Sequence, residues 1–237
     1  MSAFAGPATD CPLCPRLVAF RHANQAAYPD WHNGAVDSFG PLDAAVLFVG
    51  LAPGLRGANR TGRPFTGDYA GDLLYSTLLH FGLARGEYRA EPTDGLELTG
   101  ARICNAVRCV PPENKPTPAE FKACLPFLAA EMAAMPGLRA LFAIGRNAHE
   151  AVLTALKLRK SAFAFAHGRL HRLGDNLLMV DSYHCSRYNT NTGRLTEAMF
   201  HQAVETMVEA AHNSLISQED SPDRRFMPMN LLSGSDH

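Results

Sequence analysis

The sequence lacks any apolar run approaching the roughly 20 residues that a membrane-spanning helix needs. Its start, MSAFAGPATDCPLC, does not put a basic stretch ahead of an apolar one, so no secretory signal is expected. An excess of one charge is also missing: 22 Lys and Arg against 23 Asp and Glu leave a formal net charge of −1. That balance argues against a protein that coats nucleic acid by bulk attraction, although a local patch, not the total, decides contact with phosphate. The glycine-rich stretch GLAPGLRGANRTGRPFTGD, residues 50–68, lacks the lysine of a phosphate-binding P-loop. No internal repeat interrupts the chain. The expectation is a cytoplasmic protein without a membrane partner. In a reducing compartment its six cysteines read as metal ligands or buried thiols before disulfides.

At 237 residues, 46% of them hydrophobic, the chain is long enough for one domain with a full core. Short apolar runs alternate with helical stretches. AAVLFVG (44–50) reads as a buried strand that ends in the glycine loop. Residues 71–82 follow as a helix, with Leu73, Leu74, Thr77, Leu78 and Phe81 at helical spacing and Gly82 placed to stop it. ARICNAVRC (101–109) reads as a second strand entering the proline loop VPPENKPTP, and 118–134 as a helix. LRALFAIG (138–145) is a third strand, 146–158 a third helix, GRLHRL and NLLMVDSYH two further strands, and 194–213 a last helix. This order predicts an α/β fold, a single-domain three-layer αβα arrangement around a central, mostly parallel sheet spanning 1–213. Residues 214–237 lack periodicity and are expected to form a flexible tail. Ligands of such sheets sit beyond the carboxyl ends of the strands, where loops 51–69, 106–117 and 183–194 should converge. Arg56, Arg60 and Arg63 crowd the first of these, and Arg187 and Arg194 the last.

Cys11 and Cys14 form a CxxC, and Cys109 and Cys124 flank the proline loop. Four thiolates in two groups suit zinc or an iron–sulfur cluster equally well on chemistry alone. A chance CxxC with two buried cysteines is the bland alternative. Cys104, inside a strand, reads as buried and inert.

Three segments together, GLAPGLRGANRTGRPFTGD, ICNAVRCVPPENKPTPAEFKACLPFL and HCSRYNTNTGRLT, resemble the motifs of the B-type (family 5) branch of the uracil-DNA glycosylase superfamily. The resemblance runs from Cys11 to about residue 211. It implies a DNA-repair hydrolase, a monomer, that flips uracil and related deaminated bases out of DNA and cleaves the N-glycosidic bond. It also implies a structural [4Fe–4S] cluster on Cys11, Cys14, Cys109 and Cys124. Leu51 and Ala52 stand where other branches of the superfamily carry an acid, and the matching acid here is Asp68. That residue would activate water or stabilise the cationic sugar, while helix capping is its ordinary alternative. Asn105 would read the uracil edge and His184 would donate to its O2 as charge develops. A strand asparagine and a structural histidine are the plain readings of those two.

Gly50, Ala52 and Gly54 would let the backbone approach the base. Phe65 would stack on the base, unless it is a core residue. Arg60 and Arg63 would grip phosphate or belong to a solvated face, and Arg187 and Tyr188 would form the wedge that fills the vacated stack. No lysine or proline is placed as an amine nucleophile, which implies a monofunctional enzyme. Cys185 follows His184 where the family pattern has proline, implying a less rigid loop. The rival reading is a non-enzymatic iron–sulfur or zinc protein that binds nucleic acid. It would leave Asp68, Asn105 and His184 without a shared purpose.

Overall fold

The computed structural model describes residues 4–219. Helix α1 (Pro15–Ala27) precedes strand β1 (Val46–Gly50), the short helix α2 (Ala58–Thr61) and helix α3 (Tyr69–His80). A small hairpin of β2 (Ala84–Arg85) and β3 (Glu97–Leu98) leads into β4 (Ala101–Asn105), then α4 (Pro118–Ala134), β5 (Ala140–Ile144) and α5 (Arg146–Ala155). Strands β6 (Leu170–Arg172) and β7 (Leu178–Ser182) follow, then α6 (Arg187–Asn191) and α7 (Glu197–Glu219).

The central sheet has the order β4-β1-β5-β7-β6. The first four strands run parallel, and β6 closes the edge antiparallel to β7. Both faces are buried, as the continuous apolar strands require. Val46 and Phe48 of β1, Ile103 of β4, Phe142 of β5 and Val180 of β7 face a core completed by α3 and α7. The alternate residues Leu47, Val49, Leu141 and Met179 face a second core under α4 and α5. The three-layer αβα expectation holds.

Local chemistry sets the helix starts. Asp68 caps α3, and Ser186 caps α6 by accepting from the Asn189 amide. Thr117 and Glu120 form a capping box at α4, whose first residue is Pro118. The last helix starts later than expected and continues to Glu219. The opening of the stretch read as a tail is therefore helical, and the remainder lies outside the described residues.

Candidate active site

Because β1, β4 and β7 run parallel, their carboxyl ends open on one side. Gly50 ends β1, Asn105 ends β4, and His184 lies two residues past β7. A cavity of about 690 Å³ opens there, lined among others by Pro53, Phe65, Asp68, Asn105, His184 and Arg187. Gly50 does not line it but shapes it: a Cβ at that position would collide with the Asn105 amide oxygen and the Phe65 ring. Ala52 and Gly54 are on the lining.

Asp68 lies at the N-terminus of α3 in extended backbone, and its Oδ1 accepts from the Gly71 amide at 3.3 Å. Its Oδ2 faces Gly54 and Gly57, where any side chain would meet it. Burial raises the carboxyl above its ordinary value, although the Gly71 and Ala70 amides pull the other way. Asn105 is almost fully buried, and its side-chain amide has no hydrogen bond among the described residues. His184 Nδ1 is buried without a partner. Burial lowers the ring's affinity for a proton, so the neutral form is favoured at pH 7. Leaving a buried ring nitrogen such as that of His184 unpaired is costly, and the Asn105 amide beside it is free to take a polar ligand.

Phe65 answers to both of its readings. It is 7% exposed and belongs to the core, yet it also lines the cavity, with its ring 6.5 Å from that of His184. Its φ of +53° lies in the left-handed region, unusual for so bulky a residue. Cys185, where the family pattern has proline, is packed into the core. It is fully buried, its thiol reaches the Ala70 carbonyl, and the Asn189 amide donates to the His184 carbonyl at 2.8 Å.

The arginines of the first loop separate. Arg56 is exposed on the cavity rim. Arg60 instead pairs with Glu91 at 3.4 Å, beside a second cavity containing Trp31 and His32. Arg63 requires a correction: it does not reach a phosphate. Its guanidinium is 5% exposed and makes two bonds to Asp94, of 2.8 and 2.7 Å. At the other side Arg187 lies over the Tyr69 ring at the mouth, and Tyr188 is 73% exposed beyond it. Two further guanidiniums lie near the site, Arg194, already noted in the last loop, and Arg146, which sequence reading passed over. Arg146 rests on Phe165 and Arg194 on Tyr183, beside His184 and without an ion pair among the described residues.

Cys11, Cys14, Cys109 and Cys124 gather in one apolar cluster with Leu17 and Val107. Burial, Cys124, Glu120 and Cys11 push the Cys14 thiol up to about 11. Burial and Cys124 push Cys109 up to about 12. Side chains tie the surrounding segments together. Arg21 donates to the Cys11 and Asp10 carbonyls, and Arg16 makes two bonds to Glu120 on α4. Cys104 points to the other core and is completely buried, as expected.

A third polar group lies at the β6–β7 edge, where His149 and His171 each meet one oxygen of Asp181, at 2.7 and 2.8 Å. Donors held 2.0–2.1 Å from a tetrahedral zinc would lie about 3.3 Å apart, so these separations mark hydrogen bonds rather than coordination.

The geometry defines an α/β protein with a cavity at the carboxyl ends of its strands, into which a few polar side chains converge beside an aromatic ring. The family model described as the Uracil DNA glycosylase superfamily matches residues 38–208. A Type-5 uracil-DNA glycosylase of Thermus thermophilus is 45% identical over 214 residues, covering 88% of this chain and 95% of the relative. One from Pyrobaculum aerophilum is 38% identical over 210 residues, covering 87% and 88%. A Type-4 uracil-DNA glycosylase of Thermotoga maritima is 40% identical over 94 residues, 39% of this chain and 41% of the relative. The chain belongs to the uracil-DNA glycosylase superfamily, and within it to the type-5 group.

Proposed function

We propose that the cavity receives a uracil or related deaminated base flipped out of DNA and that the chain hydrolyses its N-glycosidic bond. The observation that carries this reading is the convergence of three under-satisfied groups around one aromatic floor. These are the Asn105 amide, the His184 ring nitrogen and the free oxygen of Asp68, beside Phe65. The Asn105 amide offers both a donor and an acceptor to the edge of the base. As the C1′–N1 bond breaks, its electron pair moves into the base, and an N–H of the His184 ring stabilises the charge growing on O2. Water adds to C1′. Asp68 as a carboxylate stabilises the cationic sugar and accepts the proton that water releases. The products are the free base and an abasic site, with no covalent enzyme intermediate.

Arg56, Arg187, Arg146 and Arg194 form the basic rim suited to DNA phosphate. Tyr188, exposed on α6, is the candidate wedge.

The four clustered thiols suit a [4Fe–4S] cluster. Each thiolate raises the cost of the next, so their charges need a shared cation to be held together. Once bound, the cluster would cross-link the N-terminal segment to the proline loop without entering the excision step. The assignment of iron over zinc rests on the match of all four positions to the family motif. The reading extends to a cytoplasmic monomer whose residues 1–213 act as one domain.

A duplex with one uracil, incubated with the protein and treated with alkali, should be cut at that position and nowhere else. An intact strand after prolonged incubation at enzyme excess would defeat the reading. Binding without cutting would leave a non-enzymatic DNA-binding protein.

A further inference from the structure

The segment between α3 and β4 carries no residue of the cavity, yet it grips the loop that bears Phe65. Tyr88 Oη donates to the Phe65 carbonyl at 3.3 Å and accepts from the Gly67 amide at 3.4 Å, so one hydroxyl bridges the two peptide groups that directly follow the left-handed residue. Tyr75 Oη donates to the preceding carbonyl, that of Pro64, at 2.6 Å. Tyr75 and Tyr88 are stacked with ring centroids 4.6 Å apart.

The Arg63 guanidinium lies 5.2, 5.3 and 5.8 Å from the ring centroids of Phe39, Tyr75 and Tyr88. Its Nε donates to Thr66 Oγ1 at 2.7 Å, and its other two nitrogens engage Asp94. Asp94 also accepts from the Arg89 and Leu96 amides, which fixes the whole 89–96 turn to it. From Asp94 through Arg63, Thr66 and Tyr75, hydrogen bonds end on the Pro64 carbonyl, and Tyr88, stacked on Tyr75, adds its own to the Phe65 carbonyl.

A bulky residue keeps a positive φ only where its surroundings over-determine it. We infer that Tyr88 and the Arg63–Asp94 pair are positioning residues, which hold Phe65 in its left-handed conformation so that the ring is set as a platform before the base arrives. The inference rests on the reading of Phe65 as the surface on which the flipped base stacks. Holding the platform in advance removes an ordering cost from base capture. Tyr88 and Asp94 therefore act on recognition of the extruded base and not on general attraction to DNA.

The test is a double-mutant cycle between Tyr88→Phe and Phe65→Ala. Affinity is measured for a duplex carrying 2′-fluoro-2′-deoxyuridine, which resists cleavage, and for the same duplex with thymine. Tyr88→Phe keeps the ring stack and removes only the hydroxyl. It should weaken the lesion duplex about three- to tenfold, the scale of losing the hydroxyl's one or two hydrogen bonds, with thymine-duplex affinity and Tm nearly unchanged. In the Phe65→Ala background the same change should do nothing. An equal loss in both backgrounds, or no loss in the wild-type background, overturns the inference. Asp94→Asn should give a larger selective loss. If it lowers Tm while lesion preference stays intact, the pair is a fold element and its positioning role falls. If it does not fold, the Tyr88 cycle decides alone. Phe65→Ala by itself separates the two layers: retained lesion preference in that variant defeats the platform reading, whereas loss of preference without coupling to Tyr88 defeats only the positioning role.

Discussion

The chain holds two places where histidine and aspartate meet the end of strand β7, and they are built on opposite terms. At the β6 edge, both oxygens of Asp181 are taken by His149 and His171, the Ala166 amide adds another bond, and the second nitrogen of His149 reaches the Phe163 carbonyl at 2.9 Å. At the cavity, Asp68 uses one oxygen for capping, His184 Nδ1 is buried without a partner, and the Asn105 amide lines the cavity without a side-chain hydrogen bond among the described residues. The residue types are alike. The difference lies in what remains unsatisfied, since a saturated network stabilises and an unsaturated one waits for a ligand.

The comparison is broken most sharply by exchanging amides for the two acids. Asp68→Asn keeps the size and most of the capping but removes the charge. Single-turnover excision of uracil should fall by roughly a hundredfold or more, with DNA affinity and Tm nearly unchanged. Asp181→Asn should do the reverse. It breaks a buried histidine–aspartate network and should cost about 3–5 kcal/mol of stability, while the folded fraction excises normally. Near-normal excision by Asp68→Asn would reduce Asp68 to a helix cap and leave His184 as the leading catalytic group. In that event Asp68→Ala should cost about 1 kcal/mol of stability, the usual worth of a cap.

Cysteine substitutions draw the same contrast between a filled and an unfilled role. Cys109→Ser should strip visible absorbance and most of about four irons per chain, and should lower the yield of folded protein. Cys104→Ser buries a hydroxyl in the second core and should leave iron and colour intact. One zinc per chain without sulfide in anaerobically purified wild-type protein would replace the cluster and leave the four ligands standing.

Acidity sharpens the comparison through Asp68. Burial holds its carboxyl above the ordinary aspartate value, so the active carboxylate is lost on acidification earlier than an exposed aspartate would lose it. The excision rate should therefore fall on an acid limb lying above the ordinary range. The stability consequence has the opposite sign from that of a salt-bridged acid. A raised folded-state value means that folding is penalised as pH climbs through the interval between the unfolded and folded values. Asp68→Asn should escape that penalty, matching or exceeding wild-type Tm at neutral pH and losing its advantage below the ordinary aspartate value. A Tm difference independent of pH would refute the burial account.

The layers of the fold were legible because β1 and β5 are continuous apolar runs and β4 and β7 are largely apolar, each alternating with a helical stretch, the pattern of a buried parallel sheet. Asp68, Asn105 and His184 are singled out by the three motifs that resemble the family's, with their places at strand ends and a helix start in support. Tyr88 and Asp94 are not. EYRAEPTDG is polar and irregular, and its importance comes entirely from what it touches across the molecule. The hairpin of β2 and β3 was missed for the same reason, being two residues on each side. Arg56, Arg60 and Arg63 read alike in sequence, and their fates diverge through partners some thirty residues onward: none for Arg56 among the described residues, an exposed Glu91 for Arg60, a buried Asp94 for Arg63.

That divergence yields the smallest of the expected effects. Arg187 lies at the cavity mouth with only the Tyr69 ring beneath it, so its charge is available to phosphate. Arg60 must first leave Glu91, a pair exposed enough to be worth little. Both substitutions to alanine should weaken damaged and undamaged duplex alike, because phosphate contacts carry no sequence information. Losing one such contact should flatten the slope of log K against log salt by about 0.9. Arg187→Ala should show that full change, and Arg60→Ala an equal or smaller one. Arg63→Ala should differ in kind: its partner Asp94 would be left buried and unpaired, so Tm should drop while the salt slope of the folded protein stays at the wild-type value. A reduced salt slope for Arg63→Ala at unchanged Tm would return Arg63 to the DNA surface and undo its assignment to the interior. A base preference altered by Arg187→Ala, with the thymine duplex bound as before, would move Arg187 from the phosphate grip into the pocket.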